Sequence, residues 1–290
     1  MRTTRVNGVE LYHEQVGEGF PLIFSHEFAG DYRSWVGQVR FFARRYRVIT
    51  WNYRGYPPSE VPTDPEAYSE EQLVEDLYGL LQELGIQSAH IAGLSMGGAI
   101  ALKLGIAHPE ICRSLVIAGA GTGSHDREQF VRETNATADR FEREPVEAFK
   151  SYSRGPARVR FLRKDPHGWR EFAEQLKEHS PLGSALTFRG VQIKRKTIYD
   201  VEAELGRVTC PALIMVGDED EPCLEPALFM KRRLPNAGLV VFPESGHTIN
   251  LEEPALFNQA VLDFLTAVEQ QRWLPREEVT TSLLPSGARA

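Results

Sequence analysis

Gly93-Leu94-Ser95-Met96-Gly97 fits the pattern G-x-S-x-G, and the residues on either side decide what that fit means. Ala89–Leu94 is a short, largely apolar run of strand length. Met96–Ala107 has helical length and closes at His108-Pro109, where the proline ring disfavours α conformation in the residue before it. The serine therefore falls at the tip of a strand-to-helix turn. A side chain there requires a strained backbone, and Gly93 and Gly97 keep Cβ atoms out of the places where strand and helix crowd together. The N-terminus of the following helix points at the exposed hydroxyl, so its positive end and its free N–H groups, that of Met96 first, would meet negative charge developing on a bound ligand. An incidental serine in a small-residue turn spells the same five letters, so the motif needs partners.

Working outward, short apolar runs at 9–16, 22–25, 47–52 and 114–118 alternate with helical stretches, which is the pattern of βαβ units around a mostly parallel sheet with helices on both faces. A capping-box start at Ser69-Glu70-Glu71-Gln72 leads into Leu73, Leu77, Leu80, Leu81 and Leu84 at helical spacing before Gly85. From Ser124 to Glu204 the strand pattern disappears and charges crowd in among Phe130, Phe141, Phe149, Phe161, Trp169, Phe172 and Phe188. Strands resume at 212–216 and 239–242, and an amphipathic helix follows at 254–268. The expected fold class is therefore α/β, with residues 1–123 and 205–272 as the core, 124–204 as a helical cap and 273–290 as a poorly ordered tail.

Composition narrows the function. With 33 Lys and Arg against 40 Asp and Glu, the net charge of -7 argues against a nucleic-acid partner, since phosphate binding rests on clustered cations. Neither a secretory signal nor a membrane span is visible, which makes a cytoplasmic protein with no membrane partner the expectation. Cys112, Cys210 and Cys223 lack metal-cage or disulfide spacing. Gly119-Ala120-Gly121-Thr122-Gly123 lacks the full spacing of a phosphate loop and reads as an entry into the cap. His108 reads as a helix-end residue.

The partners of Ser95 come later in the chain. Asp218, Glu219 and Asp220 form an acidic turn after one strand, and His247 follows the next, in Glu244-Ser245-Gly246-His247. The order Ser, acid, His is that of α/β hydrolases and differs from the chymotrypsin and subtilisin orders. Three carboxylates compete for the place beside the histidine, although Asp218, directly after Gly217, is suited to capping the turn through its own backbone.

Four stretches carry a specific resemblance: Ser25-His26-Glu27-Phe28-Ala29-Gly30, Asn52-Tyr53-Arg54-Gly55, the Gly93–Gly98 elbow, and Ser245-Gly246-His247. With them, residues 6–268 resemble an α/β-hydrolase fold protein of the serine-hydrolase branch with a helical cap. The resemblance implies Ser95 as nucleophile, His247 as general base and, three residues after Gly217, Asp220 as the acid that orients it. It implies backbone N–H groups of Phe28 and Met96 as the oxyanion hole and a structural role for His26. Glu27 stands where the family usually has glycine. A carboxylate there would oppose developing negative charge, so it either turns away or meets a partner such as an arginine, or else it contacts substrate or water. Arg158, Arg160 and Arg163 either form a solvated face of the cap or hold a substrate carboxylate.

The expected activity is hydrolysis of carboxylic esters of small to medium apolar molecules through an acyl-enzyme, with no cofactor and no metal. The elbow is similar to that of 3-oxoadipate enol-lactonases, so lactones are close alternatives. Carbon-carbon bond hydrolases usually carry Asn before the serine and an aromatic after the histidine, where this chain has Leu94 and Thr248. The alternative of another class is a non-catalytic ligand-binding protein on the same scaffold.

Overall fold

The computed structural model describes residues 2–275. Eight strands make one sheet: β1 (Thr3–Val6), β2 (Val9–Val16), β3 (Phe20–Ser25), β4 (Tyr46–Trp51), β5 (Ala89–Leu94), β6 (Cys112–Ala118), β7 (Ala212–Gly217) and β8 (Ala237–Phe242). Their order is β1-β2-β4-β3-β5-β6-β7-β8. Pairing is antiparallel from β1 to β2 and from β2 to β4, and parallel from β4 through to β8. Every expected strand is present. β1 adds one that the apolar pattern did not announce, and β2, antiparallel to both neighbours, lies outside the parallel set.

The helices are α1 (Val36–Phe42), α2 (Glu70–Glu83) and α3 (Met96–Ala107) among the first strands. Between β6 and β7 come α4 (Arg127–Arg143), α5 (Pro145–Tyr152), α6 (Pro156–Lys164), α7 (Pro166–Leu176), α8 (Pro181–Thr187) and α9 (Glu202–Leu205). α10 (Glu221–Arg233) joins β7 to β8, and α11 (Ile249–Glu252) and α12 (Pro254–Glu269) follow β8. Five of these, α5 to α8 and α12, begin on proline. Its fixed φ suits the first helical position, and the N–H it lacks would have had no intrahelical partner there.

Successive strand residues face opposite sides, so a strand covered on both must be apolar throughout. Ile91, Leu115, Ile117 and Ile214 pack with Leu77, Leu80 and Leu81 of α2 and Ile100 and Leu104 of α3. The intervening Ala92, Val116 and Met215 pack with Phe42 of α1 and Phe257, Val261 and Phe264 of α12. A third cluster joins Phe141, Phe149, Phe161, Trp169, Phe172 and Phe188 from the 124–204 stretch to Phe28 of the core. Phe130, from the same stretch, lines a cavity instead. Ser69 caps α2 by accepting from the Gln72 N–H at 3.0 Å. The reciprocal half of the expected box is missing, because the Gln72 amide donates to Asp76. Asp76 also binds Arg54 twice, at 2.6 and 2.7 Å, tying the loop after β4 to α2.

Of the expected tail, Trp273 packs on Phe264 and its Nε1 donates to the Asn236 carbonyl; residues 276–290 lie outside the described residues. No described helix is long and apolar enough to cross a membrane. The three cysteines are free.

Two imidazoles are enclosed by the core. Burial pushes His26 and His90 each down to about 4, so the fold refuses protons that the unfolded chain takes up near pH 6.5. The unfolded state then binds more protons, and stability falls as pH drops from about 6.5 to about 4. Urea midpoints measured across that range should decline. Replacing His90 with Gln should flatten the decline, and an unchanged slope in that variant would remove His90 from the account.

Candidate active site

Ser95 sits between β5 and α3 with φ 57° and ψ −113°, a conformation that L side chains rarely adopt. Such a residue costs about 1–3 kcal/mol and needs its surroundings to hold it. Here the Ser95 N–H donates to the Ala118 carbonyl at 2.7 Å. A Cβ on Gly93 would lie 2.1 Å from the Gly97 carbonyl oxygen, and one on Gly97 would lie 2.0 Å from the Ser25 oxygen. The glycines let strand, turn and helix close on one another, as the motif requires.

The structure brings Ser95, His247 and Asp220 together. His247 Nε2 lies 2.8 Å from Ser95 Oγ, and Nδ1 lies 2.8 Å from Asp220 Oδ2. A carboxylate only accepts, so Nδ1–H donates to Asp220 and leaves the Nε2 lone pair facing the serine hydroxyl. Asp220 is buried, and the imidazole retains a small exposed area. Asp218 points elsewhere: its Oδ1 accepts from the Ser245 N–H at 3.0 Å, and that bond is the largest cause holding its pKa below the ordinary value. Glu219 pairs with Arg160 of α6.

The loop after β3 presents Phe28. Burial keeps His26 neutral, and its Nδ1 donates to the Glu27 carbonyl at 2.7 Å while the Gly30 N–H donates to the same oxygen at 3.0 Å. With that carbonyl pinned, the trans peptide turns the Phe28 N–H to the opposite side. The Phe28 ring stacks on Phe188 with centroids 3.7 Å apart. Met96 opens α3, and the first N–H groups of a helix have no intrahelical partner.

A cavity of about 250 Å³ opens onto Ser95 and His247, with Phe28, Phe130, Tyr152 and Phe188 in its wall. Glu27 does not line it. Its carboxylate is 1% exposed and accepts from Arg158 Nη2 at 3.2 Å, so the arrangement is an arginine pair and the expectation of a substrate contact is corrected. Arg158 is equally buried, with its guanidinium 4.8 Å from the Phe172 ring centroid. The solvated face therefore holds for Arg163 and fails for Arg158. Buried Asp220 and Cys223 and half-buried His247 offer donor atoms within 4.8 Å of one another. The imidazole and carboxylate of that group are already bonded to each other.

The fold has known counterparts. A family model described as the alpha/beta hydrolase fold matches residues 21–254. The chain belongs to the α/β-hydrolase fold family. Among curated proteins it is similar to 3-oxoadipate enol-lactonase 2 of Acinetobacter baylyi, at 29% identity over 83% of this chain and 86% of that protein. Among solved structures it resembles a thermophilic esterase from Thermogutta terrifontis, at 27% identity and a TM-score of 0.81, covering 92% of this chain and 97% of that one. The enol-lactonase of Burkholderia xenovorans shares the fold with a TM-score of 0.81 at 24% identity, over 91% of this chain and 100% of that one.

Sequence reasoning overlooked Gln192 and Arg195, which line the cavity beside Ser95. Lys194-Arg195-Lys196 reads as a solvated basic run, and nothing in its composition tells that Lys194 and Lys196 stay exposed while Arg195 turns inward.

The buried Glu27–Arg158 pair has a measurable consequence. Glu27→Gln should leave Arg158 buried without its counter-charge and lower stability by about 3–5 kcal/mol in chemical unfolding. Combining Glu27→Gly with Arg158→Met should recover most of the loss. A double variant as unstable as the single one would show that the pair's charges are not the cause.

Proposed function

We propose that this α/β hydrolase cleaves carboxylic esters through an acyl-enzyme on Ser95. The observation that carries the reading is the chain of hydrogen bonds from Asp220 through His247 to Ser95 at the floor of the cavity. His247 Nε2 takes the hydroxyl proton as Ser95 Oγ attacks the carbonyl carbon, and Asp220 supports the imidazolium that forms. The N–H groups of Phe28 and Met96 receive the oxyanion, with the N-terminus of α3 adding its positive end. The imidazolium then protonates the departing alkoxide. Water, deprotonated by His247, attacks the acyl carbon; the bond to Ser95 Oγ breaks, the imidazolium returns the proton to that oxygen, and the acid leaves. The steps are completed by these side chains and require no cofactor or metal.

The cavity, small and partly walled by aromatic rings, favours small substrates. Lactones are the second reading, favoured by the enol-lactonase relative, because ring opening uses the same attack and leaves the alcohol attached to the acyl group. A carbon-carbon substrate has less support: Thr248, at the position after the histidine, donates its hydroxyl to Glu252 at 2.9 Å and does not line the cavity. A panel of p-nitrophenyl esters, lactones and ring-cleavage products separates these readings, and a binding protein on the same scaffold would turn over none of them.

Ser95→Ala should lower turnover by about 10³ to 10⁶ with the fold intact, since members of such a set act as a unit; wild-type rates in that variant would end the assignment. The acid is tested by comparison on folded protein at one pH. Asp220→Asn should cut kcat by up to about 10⁴, because an amide no longer enforces the tautomer or supports the imidazolium. Asp218→Asn, which weakens one bond to Ser245, should cost far less, and the reverse ranking would transfer the role to Asp218.

A further inference from the structure

The cavity wall contains a charge that the reaction does not use. Arg195 follows the helical turn at Phe188–Gln192 and reaches the wall that Ser95, His247 and Phe28 share. Its Nη2 donates to the Thr122 carbonyl at 2.7 Å, and its guanidinium lies 5.9 Å from the Phe130 ring centroid. The Arg195 carbonyl accepts from Arg127 at 2.8 Å, which pins the backbone that carries it. A guanidinium has five N–H donors, so most of those on Arg195 are left for another acceptor.

The acidic groups around Arg195 are already committed. Glu219 pairs with Arg160, and Asp220 accepts from His247. Glu70, whose charge bears on Arg195 from the core side, lies 3.3 Å from Lys103. Among the described residues Arg195 makes no ion pair. Burial lowers its pKa from the ordinary arginine value, but a guanidinium remains charged at any pH used for an assay. A desolvated cation that no carboxylate touches is costly unless an anion completes it.

We propose that Arg195 is the anion-recognition residue of this cavity, and that the substrates are esters or lactones bearing a carboxylate elsewhere in the molecule, such as half-esters of short dicarboxylic acids. The inference rests on the serine-hydrolase reading and narrows it. A monocarboxylate suits the site better than a phosphate dianion: one guanidinium offers a planar fork for two oxygens, and Glu219 and Asp220 in the same wall oppose a second negative charge. The Gln192 amide is a second polar group in that wall. The three arginines that the sequence offered for this task do not line the cavity.

The test compares 4-nitrophenyl hydrogen glutarate with uncharged 4-nitrophenyl hexanoate in wild type, Arg195→Met and Arg195→Lys. Reading the ratio of kcat/KM within each protein cancels any difference in folded fraction. The wild type should favour the charged ester by about tenfold or more, mainly through KM, as expected of binding shared by ground and transition states. Arg195→Met should erase that preference, and Arg195→Lys should keep part of it. A ratio that is the same in wild type and Arg195→Met overturns the proposal. If wild type hydrolyses neither ester, the serine-hydrolase reading fails on these substrates, and calorimetry decides the arginine separately. Ser95→Ala protein should bind glutarate, and Ser95→Ala/Arg195→Met should not; equal or absent binding in both rejects the role.

Discussion

The backbone of Ser95 is held at positive φ by the close approach of three segments, and the arrangement around it depends on that contact. β5 delivers the serine, β6 accepts its N–H at Ala118, and β3 passes within touching distance of Gly97. Each segment is fixed by a sheet whose central residues are buried on both faces, so the strain is borne by packing far larger than the turn itself. The same approach sets the loop after β3 beside the start of α3.

Glu27 couples this core to the helices above it. A glycine at that position would leave the loop without a side-chain tie, whereas here a buried carboxylate reaches Arg158 of α6 and lies against Gly30 of its own loop. Coulomb attraction in a low-dielectric setting offsets the desolvation of both ions only when they stay paired, so the loop and α6 are constrained to move together. Phe28 reinforces the tie through its stack on Phe188. The negative charge of Glu27, which the sequence made a concern, is thus matched by a cation at 3.2 Å.

Much of the fold and of the site was legible because the signals are local. β5 runs over the residues that its apolar pattern marks, since a strand sandwiched between helical layers has little freedom in composition. β1 was missed although Asn7-Gly8 announces a two-residue hairpin; both residues take positive φ, 48° and 84°, as that turn requires. The hidden parts are those in which partners meet across the chain. Arg158 finds Glu27 from 131 positions away, and Arg195 is distinguished from Lys194 and Lys196 only by the direction its backbone gives it. No window of sequence contains either fact.

The acidic turn after β7 shows how the fold sorts like residues. Asp218, Glu219 and Asp220 are consecutive carboxylates that would repel one another if all faced one way. Backbone bonds from Asp218 N–H to the Phe242 carbonyl and from Glu219 N–H to the Ser245 carbonyl lay the turn along the end of β8 and the segment leading to His247. Held so, the three side chains diverge, and each meets a different donor: the Ser245 N–H, the Arg160 guanidinium and the His247 imidazole. The first bond steadies the segment leading to His247, and the second ties the turn to α6. Only the third reaches the imidazole. One turn thus meets the histidine, anchors the helix above it and steadies the segment between, and the backbone path alone decides which carboxylate does which.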